Sequence, residues 1–152
     1  MGKLIWHQWG RLLAITSAVY MVWASFWAYL YRKFFWDMIG GTLGPAGLIP
    51  GKNTQPLVNL VVVIPLLQTF TLVLALLALA LEMPLPLVLN TTIHRSIMLR
   101  IVLYFLAGFT GIMVYQTVDC AIYFIITSGV YAVALSKGEK ITAIGEGRIV
   151  VV

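Results

Sequence analysis

The sequence predicts an all-α integral membrane protein, a bundle of four transmembrane helices. Three observations lead there. Hydrophobic residues make up 61% of the 152-residue chain and charged residues only 10%, against about 25% charged in a typical soluble domain. A soluble chain of this size has too much surface to hide that much apolar matter, so the bilayer must replace water over most of it. The apolar residues also fall into runs near the ~20 residues that a helix needs to cross about 30 Å of hydrocarbon. Finally, the ten Lys and Arg stand in ones and twos at the ends of those runs. The net charge of +5 therefore reads as membrane topology rather than as a phosphate-binding stripe, and no nucleic-acid partner is expected. The length fits a single membrane domain.

The first span is expected at 12–31. Arg11 closes one end, and Arg32 with Lys33 the other. Trp6, Trp9, Trp23, Trp27 and Trp36 lie in or beside it, where aromatic belts sit at the headgroups. The run is longer than a signal peptide's apolar core and ends on cations, so no cleavage is expected. Segment 37–56, "DMIGGTLGPAGLIPGKNTQP", holds five glycines and three prolines. No helix survives that density, so it reads as loop. It is apolar enough to lie on the membrane surface or dip between helices.

The second span is expected at 57–81, long enough to tilt, with Pro65 as a kink and Asn59 and Gln68 as its polar residues. Glu82, Pro84 and Pro86 end it. The third span is expected at 97–115. Its Ala107 and Gly111 form a small-xxx-small pair that admits a neighbouring helix. The fourth is expected at 118–135. One helix from 97 to 135 would be about 58 Å long, too long for one crossing. A turn is therefore placed at "YQTVD", with Thr117 or Asp119 as the N-cap of the last helix. Residues 136–152 form a short tail.

Four spans put both termini on one side. That side holds Lys3, Arg11, Arg95, Arg100, Lys137, Lys140 and Arg148. The other holds Arg32, Lys33 and Lys52. Seven against three favours cytosolic termini, with the tail cytosolic too. The sequon Asn90-Thr91-Thr92 then faces away from glycosylation. A secretory-pathway membrane, endoplasmic reticulum or plasma membrane, is the expected location, with the mitochondrial inner membrane as the alternative.

The densest chemistry is "EMPLPLVLNTTIHRSIMLR", 82–100. Glu82, His94, Arg95 and Arg100 could gather at the cytosolic interface. Arginines match a lipid phosphate in a bidentate fork, and His94, oriented by Glu82, has the titration range of a general base. The plainer reading is a connection between helices, with Arg95 and Arg100 snorkelling to the headgroups. These arginines stand about 140° apart on a helix and share a face poorly. Asp119 with Gln116 and Tyr115 reads as a helix cap before a polar patch. Thr127-Ser128-Gly129 reads as packing glue. Cys120 is the one cysteine, so the chain forms no internal disulfide. No charge sits mid-span, where ion-coupled transporters usually keep one. No metal-ligand spacing, phosphate loop or nucleophile elbow is present. No catalytic, metal or cofactor-binding residue is assigned.

"YRKFFWDMIGG", the "GLIP" loop, "EMPLP", "HRSIMLR" and "YQ" at the end of the third span together resemble a family of small fungal integral membrane proteins of unknown function. The resemblance runs from the N-terminus to the fourth span and does not include the tail from Ser136. It implies a four-span membrane protein from a fungus, and it transfers no site residues. The leading functional expectation is a non-catalytic accessory, assembly or scaffold subunit, whose partners are the bilayer and another membrane protein or a second copy. The alternatives are a lipid-headgroup-binding protein or small lipid enzyme using 82–100, and a homo-oligomeric channel or small-solute transporter.

Overall fold

The structure, a computed structural model, describes residues 4–83 and 91–141. It is mostly helical. Its helices are α1 (Trp6–Leu30), α2 (Gln55–Val58), α3 (Leu66–Glu82), α4 (Thr92–Arg95), α5 (Ile97–Gly111) and α6 (Val118–Ser136). A hairpin of β1 (Thr42–Gly44) and β2 (Gly47–Ile49) interrupts the 37–56 segment. The stretches Trp6–Leu30 and Tyr115–Ser136 are each long and apolar enough to cross a membrane. The expected sequon at Asn90, the prolines 84 and 86, and residues 142–152 lie outside the described residues.

The four longest helices pack as a ring in the order α1, α3, α5, α6 and back to α1. Neighbours run antiparallel. Tyr29, late in α1, donates to Thr69, early in α3, at 2.8 Å. Ser128, just past the middle of α6, donates to the carbonyl of Ile101, early in α5, at 3.0 Å, and Tyr131, later in α6, reaches the α3–α5 junction. The ring is sorted by size rather than by polarity. The buried residues of α1 are Gly10, Ala14, Ser17, Ala18, Met21, Ala24, Ser25 and Ala28. Its Leu12, Trp23, Phe26, Trp27 and Leu30 face outward. Small residues let helix backbones approach closely. Ser17 and Ser25 return their hydroxyls to the carbonyls four residues back, so neither is left bare inside.

Pro65 stands at a break. The chain winds through α2 and a π-helical turn, Asn59–Val63, then bends by 64° into α3. Proline has no N–H for the carbonyl four residues earlier, that of Val61. Gln68 supplies the missing donor: its Nε2 binds that carbonyl at 2.6 Å, fully buried. This is the role of a polar residue that the sequence left unassigned.

α5 ends at Gly111, four residues before the expected end of the third span. Beyond it Val114 is extended and bridges Phe34, with Phe35 N–H donating to Met113 and Tyr115 N–H to Lys33, both at 3.1 Å. Backbone pairing with the segment after α1 thus outcompetes another helical turn. Thr117 does occupy the N-cap of α6, but its side chain does not cap. Its hydroxyl binds the carbonyl of Gly111 at 2.7 Å instead.

Candidate functional site

The end of the ring where α3 stops and α5 starts holds a buried ionic cluster. Glu82 is the last residue of α3 and Arg100 lies in the first turn of α5. Arg100 Nε meets Glu82 Oε1 at 3.0 Å, and both side chains are 2% exposed. Two tyrosines donate to the same oxygen: Tyr131 from α6 at 2.7 Å, and Tyr104 from α5. Tyr104 follows Arg100 by one helical turn, so both point inward. Gly10 on α1 makes room for the Tyr131 ring. A Cβ there would lie 3.0 Å from it.

The remaining guanidinium nitrogens are engaged as well. Nη2 donates to the Leu81 carbonyl at 3.0 Å, and Nη1 to the carbonyl of His94. Arg11 Nε donates to the Glu82 carbonyl at 3.1 Å. The last carbonyls of α3 thereby gain cationic donors, as the dipole at a helix C-terminus favours. The Arg100 guanidinium also lies over the Tyr131 ring, 5.9 Å from its centroid.

The four residues singled out in 82–100 separate here. Glu82 and Arg100 pair. His94 is buried beside them, but it contributes its backbone carbonyl, and its ring Nδ1 has no hydrogen-bond partner among the described residues. Burial, then the charge of Arg100, hold its pKa below the usual value despite the opposing pull of Glu82. Arg95 points away and is exposed. Arg100 does not snorkel. It is 1% exposed and tied on all three nitrogens. Among the described residues no group of three His, Cys, Asp or Glu could hold a metal.

Ala107 and Gly111 are both buried. A Cβ at Gly111 would lie 2.7 Å from Met21 of α1 and 3.0 Å from Ala121 of α6. α6 comes closer still to α5 three residues earlier, at Gly108. A Cβ there would meet Ile125 at 2.6 Å and the Ala121 carbonyl at 3.0 Å. Cys120 is fully buried.

The sequence reading missed a second polar contact at this end. Glu139, just past α6, accepts from the backbone N–H groups of Trp6 at 3.0 Å and His7 at 2.8 Å, and pairs with the His7 ring at 2.8 Å. It satisfies the free donors that open α1. Burial pushes its pKa up, but the N–H donors of His7 and Trp6 outweigh that and hold it below the usual value.

The fold and site define a helical protein with two candidate membrane spans and a buried charge cluster whose members bind one another. The chain belongs to the family of the domain of unknown function DUF7727, which matches residues 1–139. That match runs past Ser136, where the motif resemblance stops, to the Glu139 contact. No curated protein and no solved structure matches the chain.

Proposed function

We propose that this is a four-span integral membrane protein with a non-catalytic role, an accessory, assembly or scaffold subunit that packs beside a partner in the bilayer. One observation supports this most. The side chains best suited to chemistry, Glu82, Arg100, Tyr104 and Tyr131, are spent on internal bonds. A headgroup phosphate would have to displace those bonds to reach Arg100. The cluster behaves as a lock between α3, α5 and α6.

The four spans of this reading are α1, the bent α2–α3 pair, α5 and α6. Large apolar side chains face outward on each, including Trp23 on α1, Leu76 on α3, Phe105 on α5 and Ile126 on α6. In water such a surface is untenable at this extent. Setting the paired Arg100 aside, six cations remain at the terminal end against three at the other, which supports cytosolic termini.

The test is purification of the tagged chain in mild detergent, with sizing and identification of what travels with it. A stoichiometric complex with another membrane protein is the expected result. A chain that runs alone, and whose Gly111→Leu variant keeps its cellular phenotype, would overturn the subunit role.

A further inference from the structure

The opposite end of the ring holds an open pocket of about 730 Å³ lined by Trp27, Tyr31, Arg32, Lys33, Asp37 and Gln116, with Tyr115 completing its wall. Its charges form no ion pair among the described residues. Arg32 uses Nε on the Tyr29 carbonyl at 3.2 Å and Nη1 on that of Val62 at 3.4 Å. That leaves Nη2 without a partner among the described residues. Lys33 Nζ lies over the Tyr115 ring, 5.0 Å from its centroid. No described carboxylate forms a salt bridge with either cation, although Asp37 lines the same pocket. Gln116 donates its Nε2 to the Tyr31 carbonyl. That bond fixes the amide's orientation and leaves Oε1 as a buried acceptor with no hydrogen-bond partner among the described residues.

The pocket thus offers two cationic donors, one separate carboxylate and an aromatic wall. Phosphate suits Arg and Lys. An ammonium suits a carboxylate and the faces of Tyr and Trp. A primary ammonium also has N–H to give to the Asp37 carboxylate, and a quaternary one has none. Position agrees with chemistry. Trp23 packs edge-on to Trp27 at 6.0 Å and Trp27 stacks on Tyr31 at 6.1 Å. This ladder runs up the outer face of α1 to its end, as aromatic anchors do at the headgroup level.

We propose that this pocket seats the headgroup of an ethanolamine phospholipid, its phosphate on Arg32 and Lys33 and its ammonium on Asp37 beside the aromatic wall. The proposal rests on the membrane reading above but not on the subunit role. It moves lipid contact from 82–100 to the other end of the molecule.

The test uses the full chain, delipidated in detergent and titrated with dihexanoyl phosphatidylethanolamine, phosphatidylcholine or phosphatidylglycerol, or with inorganic phosphate. Binding is read by native mass spectrometry. The ethanolamine lipid should bind best. Joint Arg32→Gln and Lys33→Gln should weaken every lipid at least about tenfold, the scale of one lost charge-assisted contact. Asp37→Asn should weaken the ethanolamine lipid and spare the glycerol lipid. That change should also narrow the gap between ethanolamine and choline. Arg95→Gln, at the far end, should change nothing. Equal binding of the glycerol lipid, unmoved by Asp37→Asn, overturns the proposal, as does inorganic phosphate binding as tightly as any lipid. Release of the chain from membranes by alkaline carbonate without detergent would instead remove the membrane reading beneath it.

Discussion

The two ends of the helical ring treat charge in opposite ways. At the α3–α5 end, one carboxylate and one guanidinium are buried, and each is bonded to several partners. At the α1–α6 end, Arg32 and Lys33 are exposed and share a pocket with Asp37 without pairing. A buried charge must be compensated, because desolvation costs several kcal/mol per ion. An exposed one is free to meet a ligand. Both ends hold an arginine, a carboxylate and tyrosines, so burial decides which end stabilises the fold and which is left to bind.

The sharpest way to break that contrast is to remove one partner of the buried pair. Arg100→Met should cost about 3–5 kcal/mol, since it strands the Glu82 carboxylate inside. The thermal midpoint in detergent measures it. Adding Glu82→Leu to that variant should recover part of the loss, because the isolated charge goes with it. A single variant as stable as the parent would mean that the carboxylate is not sealed. Next in size is Tyr131→Phe, which deletes one hydrogen bond to a charged group and should cost about 1.5–3 kcal/mol. Gly108→Val should cost about 1–3 kcal/mol by overpacking α5 against α6. At Gly129 on α6 an added Cβ would meet nothing within 4 Å, and Gly129→Ala is the matched control that should not destabilise.

The helices were largely legible in the sequence because their apolar runs are long and end on cations. Pro65 marked its own break. The lengths were less legible. α5 stops at Gly111 because Val114 finds a backbone partner in Phe34, a contact between residues 80 apart in sequence. The site was half legible. Glu82, His94, Arg95 and Arg100 were singled out together, but Arg95 is exposed, the bonds of Glu82 depend on Tyr131 from another helix, and no local pattern announces that partner. The i, i+4 spacing of Arg100 and Tyr104 was a usable signal, as was the run of small residues Gly10, Ala14 and Ala18 on α1. Both belong to the inward stripes of the helices, whereas the conspicuous charges cluster in one connection between them.

Acid should act on the closed end before the open one. The fold prefers neutral His94, so the folded state binds fewer protons than the unfolded chain below the ordinary histidine value. Stability from this group is therefore complete above about pH 6.5 and falls as pH drops below it. Midpoints at pH 7.5 and 5.5 would show the loss, and His94→Gln should flatten that slope. A slope unchanged in the variant would assign the acid sensitivity to other groups.

The smallest effect on stability is expected at the open end. Arg32→Gln with Lys33→Gln removes two exposed cations that form no salt bridge, and surface changes of that kind stay within about 0.5 kcal/mol. The midpoint of delipidated protein should hardly move. Added ethanolamine lipid should raise the midpoint of the parent and leave that of the variant in place, because a ligand that binds only the folded state stabilises it by mass action. If instead the variant melts early without lipid, the pocket cations support the fold after all, and the two ends differ only in degree.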